Sequence, residues 1–254
     1  MPSEPSPTPF IRLDELHKSL GGQKILRGVN LSIEEGETMV LIGGSGGGKS
    51  VTLKHIIGLM RPDSGTVEID GRCTSSLTEH ALAPIRRQIG MLFQNGALFD
   101  SLNVGQNVAF PLRELGERDL SVLEKKTTDA LDMVGMADHI EKMPIDLSGG
   151  MRKRVALARA MITQPRCMLY DEPTAGLDPV GTDTIDHLIQ RMQQHYGVTS
   201  VVVTHDMTSA YKIADRIAFL REGLVYVCGE PEEIKNSEDP VVRDFVEGRS
   251  HGAL

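Results

Sequence analysis

The stretch Gly43-Gly44-Ser45-Gly46-Gly47-Gly48-Lys49-Ser50 constrains this chain more than any other. Gly43, four free positions, Gly48, Lys49 and Ser50 form a pattern in which glycines let successive backbone N–H groups curl around phosphate oxygens. In that pattern Lys49 reaches the β- and γ-phosphates and the Ser50 hydroxyl can ligate Mg²⁺. The helix that follows points its positive end at the anion. The flanks fit this reading. Thr38 to Ile42 is a short apolar run with the profile of a buried parallel strand. Behind the loop, Leu53, Ile56, Ile57 and Met60 recur at helical spacing until Pro62-Asp63-Ser64-Gly65 makes a turn. Strand, glycine loop and helix therefore occur in the order a phosphate cradle needs, which a flexible linker does not supply.

A chain of 254 residues can bury a sizeable core. Its formal net charge of −8 argues against a nucleic-acid partner, which needs a concentrated basic face. Residues 1–9, rich in Pro and Ser, read as a loose tail without the apolar core of a signal peptide. The longest apolar runs, such as Val201-Val202-Val203, fall far short of the ~20 residues of a membrane-crossing helix. Cys73, Cys167 and Cys228 are widely spaced and match neither a zinc pattern nor a disulfide framework, as in a reducing cytoplasm.

From Phe10 to Gly36 the pattern has period two, clearest where Val29, Leu31 and Ile33 alternate with polar residues. Val67 and Ile69 before Asp70-Gly71 add a further strand and turn. This predicts an antiparallel sheet beside the nucleotide-binding core. From Thr78 to about Ile162 the periodicity is helical, with Ala130, Leu131 and Val134 on one stripe and Met151, Val155, Ala158 and Ile162 on another. A helical insertion, about 95–162, then separates the cradle from the next core strand at Cys167 to Tyr170. Asp178-Pro179 opens a helix whose stripe is Ile185, Leu188, Ile189, Met192 and Tyr196, and Gly197 ends it. Ser200 to Thr204 and Ile217 to Leu220 read as further strands. Asp239-Pro240 opens a last helix with Val241, Val242, Phe245 and Val246 on one side, which either packs back on its own domain or docks on a second subunit.

Asp171 and Glu172 stand side by side where the apolar strand ends, the edge at which ligands bind in open α/β sheets. With a phosphate cradle in the same chain, Asp171 is the candidate Mg²⁺ ligand and Glu172 the candidate base for a water attacking the γ-phosphate. Leu147-Ser148-Gly149-Gly150-Met151 offers a second anion site, with Ser148 as a cap and glycine N–H groups at a helix's positive end. Arg152, Lys153 and Arg154 form the one dense basic cluster, read either as a source of local positive potential or as a solvated helix end.

Taken in order, these motifs resemble those of the ATP-binding-cassette (ABC) ATPases, from about Phe10 to Ile234. The P-loop Gly43 to Ser50 precedes a glutamine-loop residue, Gln94, and the signature Leu147 to Gly150. The Asp171-Glu172 pair, the D-loop Ala175 to Asp178 and a switch histidine, His205, follow. The resemblance implies an α/β P-loop NTPase with a mainly parallel core sheet, an N-terminal antiparallel β subdomain and an inserted α-helical subdomain. It implies ATP and Mg²⁺ as ligands, with Ser50, Gln94 and Asp171 toward the metal and Glu172, His205 and Gln94 as catalytic groups. It also implies a head-to-tail homodimer in which the signature serves the partner's ATP and Asp178 contacts across the dimer. Three positions depart from the usual pattern. Leu20 stands where many cassettes place an adenine-stacking aromatic, Met151 replaces a Gln, and Val51 replaces a Thr.

The string Phe93-Gln94-Asn95-Gly96-Ala97-Leu98-Phe99-Asp100-Ser101-Leu102-Asn103-Val104, with Pro111-Leu112-Arg113-Glu114 behind it, is most similar to the ATPase subunits of the Mla/Mce lipid transporters. Tyr170 and the segment Asp239 to Val246 also fit that group. That resemblance implies a peripheral protein on the cytoplasmic side of a Gram-negative inner membrane. Its expected partners are two permease copies, an Mce-domain lipid-binding protein in the periplasm and a STAS-domain protein, with residues 235–254 as a dimer or partner contact. An amino-acid or metal-ion importer cassette shares every catalytic motif. A soluble ABC protein of translation or repair would need two fused cassettes or a coiled-coil insertion, and a P-loop kinase would lack Ser148-Gly149-Gly150.

Overall fold

The computed structural model describes residues 9–249; the expected tail over 1–9, apart from Pro9, and the last five positions lie outside the described residues. The chain forms two compact units, one from the residues up to Arg86 together with those from Ala214 onward, the other from Arg87–Ile213.

The first unit opens with β1 (Ile11–Leu20) and β2 (Gln23–Ile33), paired antiparallel with Ile11 opposite Ile33. Val29, Leu31 and Ile33 point into the core, as their alternation predicts. β3 (Thr38–Ile42) is buried at every position, the signature of a strand covered on both faces. It runs through the glycine loop into α1 (Lys49–Ile56). β4 (Ser64–Ile69) and β5 (Arg72–Cys73) complete a four-stranded antiparallel sheet in the order β2-β1-β4-β5, and α2 (Glu79–Arg86) follows. The helix after the glycine loop is shorter than its apolar spacing predicts. Ile57 caps it and Gly58 turns left-handed at φ 72°, so Met60 lies beyond the helix, with its N–H donating to the Lys54 carbonyl.

In the second unit β6 (Ile89–Leu92), β7 (Cys167–Asp171) and β8 (Thr199–Val203) run parallel, β7 between the other two. β6 lies in a stretch the sequence reads as helical. Four residues are too few to show a period, and Gly90 within them suggests a break rather than a strand. A side chain at Gly90 would collide with Met168 on the neighbouring strand, which is why glycine stands there. Between β6 and β7 come α3 (Val104–Glu114), α4 (Leu120–Met133) and α5 (Gly149–Met161). α6 (Pro179–Tyr196) carries Asp178 as its cap, bonded to the Gly181 N–H at 2.6 Å, and ends at left-handed Gly197. Its stripe is buried through Met192, but Tyr196 is 56% exposed because the last turn runs past the core. α7 (Met207–Ile213) closes this unit.

The chain then returns to the first unit, where β9 (Arg216–Arg221) runs parallel to β3 and β10 (Leu224–Gly229) pairs antiparallel with β9. α8 (Pro231–Lys235) and α9 (Pro240–Val246) finish the fold. The face of α9 that the sequence leaves without an assigned partner packs on its own unit, with Val242 buried and Phe245 stacked on Phe219 at 4.7 Å.

Candidate active site

In the first unit, the loop from Gly43 to Gly48 is shaped by its glycines. Gly43, Gly46 and Gly48 have φ of 147°, 77° and 97°, a region that other residues enter only under strain. A methyl group on Gly43 would run into the Leu220 carbonyl of β9, so the backbone there passes its neighbour too closely for any side chain. Gly44, Ser45 and Gly46 are exposed, and Gly47 donates to the Gly44 carbonyl at 3.1 Å. The Lys49 ammonium lies over the loop and donates to the carbonyls of Gly43 at 2.8 Å and Gly44 at 3.0 Å. Ser50 and Val51 stand in the first turn of α1, which is pinned from below by Thr52 donating to the Gly48 carbonyl. An exposed run of glycine amides beside an ammonium, a serine hydroxyl and a helix's positive end is the donor set that polyphosphate takes. Leu20 is half-exposed at the end of β1.

In the second unit, β7 delivers Asp171 and then Glu172, which turns left-handed at φ 51°. Three backbone bonds hold that residue. Its N–H donates to Val203 at 2.9 Å, and its carbonyl accepts from Ala175 N–H at 3.2 Å and from Lys153 Nζ at 3.3 Å. The carboxylate of Glu172 is largely enclosed, and its Oε2 accepts from Nδ1 of the exposed His205 at 2.7 Å. A carboxylate only accepts, so Nδ1 carries the proton and Nε2 is left for another partner. Glu172 and His205, far apart in sequence, are thus brought together at the ends of adjacent strands. Gln94 sits exposed in the turn after β6.

The signature and the D-loop also meet. Ser148, Gly149, Gly150, Met151 and Asp178 all line one cavity of about 380 Å³, with Leu177 beside the two glycines. Ser148 caps α5, its Oγ accepting from Met151 N–H at 3.3 Å, so the glycine amides of the first turn stay available to an anion. Leu147 is buried beneath them.

The basic cluster is tied down by backbone carbonyls rather than left as a solvated helix end, and Arg154 lines the same cavity as Ser148, Gly149 and Gly150. Arg152 donates to the Leu147 carbonyl at 2.6 Å, and Arg154 donates to those of Val134 and Gly135, both at 3.2 Å. Lys153, 5% exposed, donates to the carbonyls of Ala175 at 2.6 Å and Glu172 at 3.3 Å. Burial pushes its ammonium down from the usual lysine range, while the charge of Glu172 acts the other way. The sequence held a signal for this burial. Val155-Ala156-Leu157-Ala158 is apolar all round the helix, so α5 lies inside its unit and a lysine one turn earlier has little water to reach.

Arg159 of α5 donates to Gly96 and Ala97, each at 2.8 Å, and its guanidinium lies over the Phe99 ring. Asn107 of α3 is buried and clamps the same loop through Phe99, Leu102 and Asn103. The segment after Gln94 is therefore a held loop that leaves Phe99 exposed, with the exposed Phe93 just before it.

A family model described as ABC transporter matches residues 26–175. The "Probable ribonucleotide transport ATP-binding protein mkl" of Mycobacterium tuberculosis is 41% identical over 244 residues, covering 96% of this chain and 68% of that protein. The chain belongs to the ABC transporter family. The methionine import ATP-binding protein MetN of Brucella abortus is 35% identical over 240 residues, 94% of this cassette and 65% of that protein. Among solved structures, the ATP-binding cassette MJ0796, a dimer bound to ADP and Pi, superposes with a TM-score of 0.81 at 34% identity, over 87% of this cassette and 98% of that chain. The cassette cbiO1 from Clostridium perfringens, part of the transporter complex cbiONQ, superposes with a TM-score of 0.84 at 30% identity, over 93% and 94%. The cassette is an ATP-binding subunit of the ABC transporter type and an ATPase, with ATP as its nucleotide and Mg²⁺ as the usual partner ion. Among the described residues, no helix is long and apolar enough to cross a membrane.

Proposed function

We propose that this cassette is the ATP-hydrolysing motor of a phospholipid transporter that works between the inner and outer membranes of a Gram-negative bacterium. In this reading Gly43 to Val51 hold the nucleotide, the glycine amides and Lys49 taking its phosphates. Ser50, Gln94 and Asp171 supply the hard oxygen donors that suit Mg²⁺, whose charge offsets that of the phosphates. Glu172 takes the proton of the attacking water, and His205 steadies its carboxylate through Nδ1–H while directing Nε2 toward the γ-phosphate. A second copy pairs head to tail, so that Leu147, Ser148, Gly149, Gly150 and Met151 close over its ATP and Asp178 lies at the contact. Two permease copies sit above the pair, joined to an Mce-domain protein in the periplasm, with a STAS-domain protein on the cassette. The cassette is then peripheral on the cytoplasmic face of the inner membrane, and residues 235–254 contact the dimer or a partner.

The lipid assignment is carried by the loop from Phe93 to Val104. Its sequence resembles the lipid-transport cassettes, and it presents Phe93 (38% exposed) and Phe99 (43% exposed) on a backbone fixed by Asn107 and Arg159. The relatives' names favour a second reading, in which the same motor serves an importer of a small polar solute such as methionine or a ribonucleotide. The two separate by purifying the Glu172→Gln cassette from detergent-solubilised native membranes and identifying its companions by mass spectrometry. A permease together with an Mce-domain protein supports phospholipid transport, and ATP-dependent transfer of a labelled phospholipid in proteoliposomes would complete the case. An amino-acid or nucleotide permease instead would overturn the lipid assignment and leave the motor standing.

A further inference from the structure

Lys153 is an expensive residue for its place. It lies in the second turn of α5, near the helix's positive end, where a cation is electrostatically disfavoured. It is almost fully buried, and its two hydrogen-bond partners are both backbone carbonyls. Burying an ammonium is unfavourable unless its surroundings compensate the lost hydration. Those surroundings are specific. Glu172 and Ala175 are the first and last residues of one turn, closed by the Ala175 N–H to the Glu172 carbonyl at 3.2 Å. Lys153 therefore grips both ends of the turn that begins with the candidate base. The base itself stands in a left-handed conformation, φ 51°, which persists only where neighbours impose it. Five residues after Glu172, Leu177 lies beside the signature glycines Gly149 and Gly150. The helix that begins with the signature and the loop from Glu172 to Asp178 are thus joined at two points within one chain.

We propose that Lys153 is a positioning residue: it fastens the signature helix to the turn carrying Glu172, so that closure of the signature on one nucleotide sets the base that acts on the other. The inference rests on the reading above, in which the signature serves the partner's ATP while Glu172 serves the ATP of its own chain. Engagement at one site is then felt at the other through a single ammonium. Lys153 is buried and spends its ammonium on two backbone carbonyls, so its loss leaves nucleotide binding intact and lowers turnover and cooperativity. Misplacing a reacting group by ~1 Å costs on the order of 10²-fold, so a kcat lowered by about 10- to 100-fold is expected.

The experiment compares wild-type full-length chain with Lys153→Met, which keeps the apolar stem, and Lys153→Gln, which keeps a donor on a shorter stem. ATPase rates across ATP concentrations give kcat, KM and the Hill coefficient. Hydrogen exchange reads the amides of Ala175 and Leu177, and ATP-dependent dimerisation is measured separately for each chain in the Glu172→Gln background. Support is a lower kcat with KM within about twofold, a Hill coefficient falling toward one, and faster exchange at Ala175 and Leu177 while β7 stays protected. Should Lys153→Met fail to fold, Lys153→Gln carries the same expectations. A raised KM with kcat unchanged, or wild-type kcat and Hill coefficient in folded variants, overturns the fastening role. A Glu172→Gln chain that stays monomeric with ATP overturns the pairing of copies instead, a result that does not depend on Lys153.

Discussion

Asn107→Ala tests whether the loop after Gln94 is fixed by one side chain. The Asn107 Oδ1 accepts from Phe99 N–H at 2.8 Å, and Nδ2 donates to Phe99 at 3.0 Å, Leu102 at 2.9 Å and Asn103 at 3.1 Å. Alanine removes all four contacts. The Asn103 carbonyl keeps its helical bond from the Asn107 N–H and the Phe99 carbonyl keeps one from the Leu102 N–H, so the groups stranded are the Phe99 N–H and the Leu102 carbonyl. A buried polar group without a partner costs ~1–3 kcal/mol, and water can reach part of this surface loop, so the expected local loss is roughly 2–4 kcal/mol. At 1.4 kcal/mol per factor of ten, that lowers the protection of the Phe99 amide by roughly 30- to 700-fold. Hydrogen exchange followed by mass spectrometry reads this directly. Basal ATPase should stay near wild type. Phe99 protection unchanged within about threefold would refute the clamp.

Other expectations follow from single contacts. Gly43→Ala places a methyl against the Leu220 carbonyl, so ATP affinity by calorimetry should fall by about 5- to 150-fold, as strain of ~1–3 kcal/mol implies; retained affinity would contradict the close approach. Asp178→Ala removes the cap of α6 and should cost about 1 kcal/mol, a Tm lower by about 2–4 °C, and Asp178→Asn should restore most of it. His55 is buried in α1 and its Nδ1–H donates to the Val51 carbonyl at 2.7 Å; burial holds its pKa below that of an exposed histidine. The unfolded chain therefore binds a proton the folded one resists, and stability is lost as pH falls through the unfolded value near 6.5. His55→Gln should flatten urea-unfolding stability between pH 7 and 5, and an unchanged slope would remove His55 as its cause.

Much of this was legible in the sequence because its signals were local. Glycines at Gly43, Gly46 and Gly48, the caps Ser148 and Asp178, and the alternation from Val29 to Ile33 each dictate their own backbone without help from distant residues. What escaped depends on neighbours remote in the chain. β6 is a strand because β7 lies beside it, and four residues of Ile-Gly-Met-Leu carry no period that says so. Lys153 looks like one of three surface cations until the turn at Glu172 supplies carbonyls from 19 and 22 residues away. Tyr196 continues a helical stripe that the core does not follow to its end. The pairing of Glu172 with His205 lay between these cases. Both residues could be named from their motifs, but the 2.7 Å bond that gives His205 its tautomer could not.

The most direct test of the central claim is the ATPase turnover of Glu172→Gln beside wild type, with nucleotide affinity measured on the same preparations. If Glu172 is the base, the glutamine form binds ATP as tightly as wild type and hydrolyses it ~10²–10⁴-fold more slowly. Equal turnover in the two chains would contradict the account.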